Sequence, residues 1–539
     1  MKGARIMREI QIQNFRSLKD TSIQKLSPIT LLVGENSSGK STFLRAFPLL
    51  KQSINKRTSG PILWAGDADD YVDFGSFEET VTNDGSDTIK FRFKFNIHGL
   101  GFSRGYLALE RFMDSEDSAS DSGNEIDYEI TIASVRGREF VSTFNLSINS
   151  VNVHFDLIKN NIFFDDKPFY SDGKRRSKTD ISNQNISARC GYIFAASKAF
   201  GFVLPNIDKL FEELMGYLNS EKKDEYRTYR LTDSIVEIGH SLSKKQELLL
   251  IDDSPSSTPN YPTWFVRDHN RITTLLHSSE NDRLSKIIEL VYMYRVFAEI
   301  DDYISEYFKQ VHYIAPLRAT AERYYRLRNL AVDEVDYQGK NLAIFINSLS
   351  HKQLNEFHDW TNKHFGFTVS TDKSKGHLSL RIKLRNLDKA INLSDTGFGY
   401  SQVLPIITQL WELSSQKRPK VVTSYYGSKP TQPLVIAIEQ PELHLHPAVQ
   451  AKLAKAFIAA INLARSNGYE LQLLLETHSQ TIVDYLGRAI AKGILSQDDV
   501  TVVLFEKYDS ESITTVKNSY YDSDGYLNDW PYGFFDTEE

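Results

Sequence analysis

Ile29-Thr30-Leu31-Leu32-Val33-Gly34-Glu35-Asn36-Ser37-Ser38-Gly39-Lys40-Ser41-Thr42 is the stretch that decides the fold. An apolar run leads into Gly-x-x-x-x-Gly-Lys-Ser, and a helical apolar pattern follows it: Phe43, Leu44, Phe47, Leu49 and Leu50. A strand that ends in such a loop and opens a helix makes a phosphate cradle, because the N–H groups of the turn and of the helix N-terminus point inward. The nucleotide contacts predicted here are Gly34, Asn36, Ser37, Ser38, Gly39, Lys40, Ser41 and Thr42. Lys40 supplies a point charge for the outer phosphates, and Ser41 a hydroxyl for Mg²⁺. Pro48, inside the helical pattern, predicts a kink or a short first helix. By itself the loop says only that a nucleotide binds.

Three later elements narrow this. Val435-Ile436-Ala437-Ile438-Glu439 describes a buried strand ending at a carboxylate, the arrangement in which an acid holds Mg²⁺ directly or through water. Gln440-Pro441-Glu442-Leu443-His444-Leu445-His446-Pro447 follows it. About 40 residues earlier, Ser394-Asp395-Thr396-Gly397-Phe398-Gly399-Tyr400-Ser401-Gln402 places small residues ahead of a helical pattern, again an anion-binding N-terminus. Finally, Leu473-Leu474-Leu475-Glu476-Thr477-His478-Ser479 delivers a histidine to a strand end.

In this order the four elements resemble the ABC-type ATPases of the SMC, Rad50 and OLD group. Ile12-Gln13-Asn14-Phe15-Arg16-Ser17 is similar to that group's first strand. The resemblance implies an α/β fold, an ABC-type P-loop ATPase head with a mixed β lobe and a parallel-sheet α/β lobe, split by a large, mainly helical insertion. It implies ATP and Mg²⁺ as ligands, with Ser41 and Glu439 toward the metal and Arg16 reaching the nucleotide. It also implies that His478 senses the γ-phosphate. Ser394, Gly397, Gly399 and Ser401 would then complete the site of a second subunit, with ATP joining a homodimer. The expected domains are 1–160 (first ATPase lobe), 161–310 (insertion), 311–515 (second lobe) and 516–539 (aromatic tail).

One departure bears on catalysis. Relatives with Glu-Glu-Pro-Glu place the water-activating base where this chain has Gln440, and an amide cannot accept the proton. Either hydrolysis is slow, the favoured reading, or Glu442, His444 or His446 supplies the base. Tyr313-Ile314-Ala315-Pro316-Leu317-Arg318 opens a segment with Arg323, Arg326, Arg328 and tyrosines. Such a segment is either an amphipathic element with a solvated arginine face or a track for a nucleic-acid backbone, nucleotide phosphate or an acidic partner. With Ile438-Glu439-Gln440-Pro441-Glu442 and the tail Gly525–Asp536, it resembles the ATPases of Septu-type anti-phage systems, the PtuA group, some of them retron-associated. That implies a separate HNH nuclease partner of the PtuB kind, and in retron cases a reverse transcriptase with its DNA or RNA product. Alternatives are a Rad50- or RecF-like repair ATPase and an OLD relative lacking its Toprim nuclease. About 60 residues follow His478, too few for a Toprim domain, and no HNH or zinc-ligand constellation is seen, so no nuclease site is expected in this chain.

Bulk properties agree. The 539 residues are 41% hydrophobic and 25% charged with one cysteine, Cys190, which excludes an internal disulfide and fits a cytoplasmic protein. The net charge of −7 gives no general attraction to nucleic acid. No signal peptide or membrane-spanning run is read. Strand-like alternation occurs at 89–97, 105–112, 126–134 and 142–157. Asp114–Glu125 reads as a solvated acidic loop and 173–178 as a short basic run. Residues 284–300 read as a helix without sustained heptads.

Overall fold

In this computed structural model the described residues are 6–56, 58–82, 85–97, 124–159, 161–171, short stretches within 213–250, 263–278, 282–326, 332, 334–374, 376–416, 433–507 and 513–528. The chain opens on β1 (Met7–Phe15), which pairs antiparallel with β2 (Leu18–Asp20) and β3 (Gln24–Lys25). β4 (Ile29–Gly34) leaves for a second sheet, and α1 (Lys40–Asn55) and the short α2 (Phe77–Thr80) follow it. α1 runs unbroken past Pro48, where a kink or early end was expected; one lost backbone donor does not stop a helix whose flanks, Phe47 and Leu49, are fully buried.

β5 (Thr88–Ile97) returns to β1 with Ile89, Phe91, Phe93, Phe95 and Ile97 inward, the alternation visible in the sequence. β6 (Asn124–Val135), β7 (Arg138–Ile148), β8 (Val151–Asp156), β9 (Asn161–Phe164) and β10 (Lys167–Ser171) extend it as an antiparallel meander. The expected strand at 105–112, nearly all of the acidic loop and the basic run 173–178 lie outside the described residues. The sheet itself continues past residue 160, where the first lobe was expected to end.

Two helices, α3 (Thr263–Ser278) and α4 (Asp282–Lys309), come from the expected insertion. α4 packs into the antiparallel sheet: Tyr303 stacks on Phe95 with ring centroids 4.1 Å apart, and Phe308 meets Phe93 edge-on at 5.7 Å. Phe308 also touches Phe47 of α1 at 5.9 Å. The helix therefore wedges between the sheet and the P-loop helix and shares their core rather than forming a separate module.

The second sheet gathers β11 (Val311–Ile314), β16 (Leu434–Glu439), β17 (Leu471–Glu476), β18 (Val500–Glu506) and β19 (Thr515–Ser519) around β4, in the order β11-β16-β17-β4-β18-β19. All neighbours are parallel except β18 and β19. Covered on both faces, its central strands read as continuous apolar runs. Leu32, Val435, Ala437 and Leu474 face α1 and the antiparallel sheet. Leu31, Val33, Ile436, Ile438, Leu473 and Leu475 face the helices α7 (Phe398–Ser415), α8 (Pro447–Ser466) and α9 (Gln480–Ala491). A small sheet of β12 (Tyr325–Arg326), β13 (Phe367–Ser374), β14 (His377–Leu384) and β15 (Ile391–Asn392), with α5 (Leu342–Ser348) and α6 (His351–His364), packs on that second core. The α/β fold read from the sequence, with a mixed β lobe and a parallel-sheet lobe carrying the P-loop, is the fold observed.

Of the expected tail, residues up to Asn528 are described. Tyr521 is buried, and its hydroxyl donates to Val483 O at 3.0 Å. Asp522 turns inward on its own loop, accepting from Asp524 N and Tyr526 N.

Candidate functional site

The P-loop is built by close approach. Gly34 sits against β18, where a Cβ would lie 2.2 Å from Phe505 O. Gly39 caps α1 at φ 96° and abuts the β1–β2 turn, where a Cβ would lie 2.9 Å from Ser17 Oγ. Only glycine fits both conformations without displacing backbone or side chain. Ser37 also adopts a left-handed φ of 62°. Glu35, Asn36 and Ser37 face solvent, Ser38 is buried, and Thr42 is half-buried.

Lys40 is 3% exposed. Its ammonium donates to Gly34 O at 2.8 Å and to Glu35 O, curling back into the loop where phosphate oxygens would be the stronger acceptors. Burial pulls its pKa down to about 8, against the opposing charges of Glu476, Glu35 and Glu442.

Two carboxylates stand at the ends of the adjacent strands β16 and β17, with Glu439 and Glu476 paired in register. Glu439 accepts from Arg45 Nε at 2.7 Å and Nη2 at 2.8 Å, and from the Tyr313 hydroxyl at 2.7 Å. The hydrogen bonding of Arg45 to Glu439 outweighs burial and raises the arginine's pKa. Glu476, not Glu439, meets the P-loop: Ser41 Oγ donates to Glu476 Oε1 at 2.8 Å. Burial, and then the neighbouring Glu439 charge, push the Glu476 carboxyl up to about 7.

Gln440 continues the ladder with N–H to Glu476 O at 2.9 Å and takes a left-handed φ of 43°, a strained conformation for glutamine. Of the three alternative bases, Glu442 and His446 are hydrogen-bonded elsewhere, and His444 is exposed. Glu442 accepts from His478 N at 2.7 Å and Thr477 Oγ1 at 2.9 Å, tying the loop after β16 to the loop after β17. Burial nonetheless raises its pKa. His444 packs edge-on against Phe398 at 5.0 Å, and His446 accepts from Ala448 N as the cap of α8. His478 follows β17 beside the P-loop; burial, then the Lys40 charge, hold its imidazole down to about 4, so it is neutral near pH 7.

The residues of the third element make local hydrogen bonds. Ser394 hydrogen-bonds Asn392 Oδ1, and Ser401 turns back to Phe398 O. Gly397 caps α7, and Gly399 lies against the loop after β16, where a Cβ would be 3.4 Å from His444 O. None of the described hydrogen bonds joins them to the P-loop. Arg16, at φ 54°, is exposed at the β1–β2 turn; its guanidinium lies over the Phe74 ring at 4.7 Å and donates to Phe74 O, not to the P-loop.

The arginine segment is not one face. Arg318 is 5% exposed and donates to Glu439 O at 2.8 Å and Gln440 O at 3.2 Å, bracing the loop after β16. Burial lowers its pKa to about 10, so it stays charged. It is therefore unavailable to a surface nucleic-acid track, which corrects that expectation. Arg323 pairs with Asp395, Arg326 is exposed on β12, and Arg328 lies outside the described residues.

Sequence reasoning missed Glu476, Arg45 and the buried role of Arg318. The signal for Glu476 was present: Leu473-Leu474-Leu475-Glu476 repeats the apolar-run-then-acid pattern that marked Glu439. Arg45 lies one helical turn beyond Ser41 on α1, between Lys40 and Lys51. Among the described residues no group of three or more His, Cys, Asp or Glu could hold a metal alone. A cation here would share its shell with phosphates and water, as Mg²⁺ does. No described helix is long and apolar enough to cross a membrane.

A P-loop between two parallel strands, with acids at neighbouring strand ends, defines a P-loop ATPase site. A family model described as an AAA ATPase domain matches residues 6–483, and the chain belongs to that family. No curated protein matches the sequence. Among solved structures, the SMC head domain from Thermotoga maritima is similar to it at 9% identity and a TM-score of 0.33, over 95% of this chain and 98% of that one.

Proposed function

We propose that this ATPase binds ATP with Mg²⁺, hydrolyses it slowly, and uses the bound state as a switch that joins two copies of the chain. The observation that carries the slow rate is the loop after β16. Gln440 has no basicity, Glu442 and His446 accept hydrogen bonds from other groups, and His444 is exposed with its ring edge-on to Phe398. Joining of two copies is supported by Ser394, Gly397, Gly399 and Ser401, which lie at and before an α7 N-terminus that no described hydrogen bond ties to the chain's own P-loop.

The switch controls a separate nuclease of the HNH type in an anti-phage system of the Septu kind. This reading rests on the resemblance of the motifs and the tail. A retron reverse transcriptase and its nucleic-acid product are further partners under the same reading. The test has two arms. Light scattering should show a monomer or loose dimer becoming a tight dimer with ATP and Mg²⁺, and Gln440→Glu should raise steady-state phosphate release by about 10-fold or more. Native purification from the host should bring down a nuclease. A chain that stays monomeric with ATP, or a Gln440→Glu rate at or below wild type, counts against the switch. A purification without a nuclease, before and after infection, counts against the defence role.

A further inference from the structure

We propose that Glu476, not Glu439, is the carboxylate that works with Ser41 on the divalent cation of the nucleotide site, and that Glu439 is a structural anchor. This deepens the reading of the site as one for ATP with Mg²⁺ and rests on it.

Consider the hydrogen-bonding capacity of each acid. A carboxylate accepts through two oxygens, and a planar guanidinium matches both of them. Arg45 spans Glu439 in this way, with Nε on Oε1 at 2.7 Å and Nη2 on Oε2 at 2.8 Å, and the Tyr313 hydroxyl adds a third donor to Oε1. Its charge is neutralised and its lone pairs are engaged. To reach a metal it would have to give up a bidentate partner.

Glu476 is as deeply buried, at 3% exposure, and is otherwise different. Oε1 accepts from Ser41 Oγ at 2.8 Å, while Oε2 is buried with no hydrogen-bond partner. A buried carboxylate oxygen without a donor is costly, and native structures rarely keep one unless a water or an ion completes it. The Lys40 ammonium does not fill this role, since its hydrogen bonds go to Gly34 O, Glu35 O and Ser38 Oγ.

Ser41 is the first-turn P-loop residue whose hydroxyl faces a bound cation. Its proton goes to Glu476, which leaves its lone pairs free for a metal. A hard cation that prefers oxygen ligands then finds a hydroxyl and a carboxylate together, reached directly or through one of its waters. Sheet order explains the geometry. β17 lies between β16 and β4, so its terminal acid is nearer the P-loop than the acid of β16.

Mn²⁺ serves as the probe because its binding is read by electron paramagnetic resonance, without turnover. With a non-hydrolysable ATP analogue, Glu476→Gln should weaken Mn²⁺ binding to the protein–nucleotide complex by about 10- to 100-fold. Binding of the same analogue in excess chelator should hold within a few-fold of wild type. Glu439→Gln should leave Mn²⁺ affinity within a few-fold. Should Glu476→Gln fail to fold, Glu476→Asp retains the charge with a shorter reach and should still weaken Mn²⁺ binding.

An unchanged Mn²⁺ affinity in the folded Glu476 variant overturns the assignment, as does a larger loss in Glu439→Gln. A lost hydrolysis rate with intact Mn²⁺ affinity in Glu476→Gln also overturns it, and makes Glu476 a base instead. Wild-type protein that binds neither analogue nor Mn²⁺ overturns the ATP reading itself, a distinguishable failure.

Discussion

Glu439 and Glu476 are the same residue at the same rung of neighbouring parallel strands, and both are almost fully buried. Their surroundings differ. Glu439 is closed by its own guanidinium and phenol, whereas Glu476 has a serine hydroxyl on one oxygen and no donor on the other. A buried acid that brings its own cation belongs to the scaffold, and one that does not is set up to receive a cation from outside. Position after an apolar strand therefore marks both acids alike, and only their partners separate the roles.

The harshest way to break this comparison is to remove the positive charge on the Glu476 side. Lys40→Ala should weaken ATP binding by about 100-fold or more, because a buried charge–phosphate contact is truncated. Equilibrium binding of a fluorescent ATP analogue measures it, and an affinity within a few-fold of wild type would refute the role of the loop. The next largest effect falls on the Glu439 side. Arg45→Ala leaves Glu439 buried and uncompensated, like Glu476 without its cation. Breaking a fully buried pair costs about 3–5 kcal/mol. Arg45 is 39% exposed, so solvent screening reduces the expected loss to about 1–3 kcal/mol. Denaturant unfolding of Arg45→Ala beside the double variant Arg45→Ala/Glu439→Gln sharpens the contrast: the second change should recover part of the stability, and no recovery would mean that Glu439 is not the group left unpaired.

The smallest expected effect comes from a third acid, which pairs with Lys51 in the later half of α1. Burial alone would raise the pKa of Glu334, but the His312 hydrogen bond and Lys51 outweigh it and hold it down to about 2. His312 Nδ1 lies 2.9 Å away, Lys51 Nζ 3.4 Å and the Tyr71 hydroxyl 3.4 Å, while burial holds the neighbouring Glu412 carboxyl up to about 7, so that it carries little charge at lower pH. A carboxyl with a depressed folded-state pKa contributes stability above its unfolded pKa near 4.5 and loses it as pH falls toward about 2. Glu334→Gln should therefore be slightly less stable than wild type at pH 7, with the gap closing between about pH 4.5 and 2. A gap constant across that range would show that the acid is not ion-paired in solution.

Much of this was legible in the sequence. The P-loop, the strand ending at Glu439, the strand carrying Glu476 to His478 and the alternation of Ile89–Ile97 all appear as read, because buried strands and glycine-bound turns impose local patterns. What escaped reading was long-range. That Arg45 takes Glu439, that Ser41 takes Glu476 and that Arg318 braces the loop after β16 depend on which strands become neighbours. Residues some 390 to 435 positions apart meet in the first two pairs. Arg318 looked like part of a solvated or phosphate-tracking face because Arg323 and Arg326 share its neighbourhood in sequence. The end of β11, adjacent to β16, carries it inward instead.

The placing of β4 has a consequence for how the molecule is made. Ile29 pairs with Leu473 on one side and with Val500 on the other, so both edges of the P-loop strand are supplied about 440 residues or more after it. At about 5–20 residues per second of translation, the apolar strand waits on the order of half a minute or longer with neither edge covered. Gly34 cannot take its native setting against Phe505 before then. A nascent chain is thus exposed to mispairing at the segment that later binds nucleotide, and competence to bind ATP arrives last, as a mark that synthesis has reached β18.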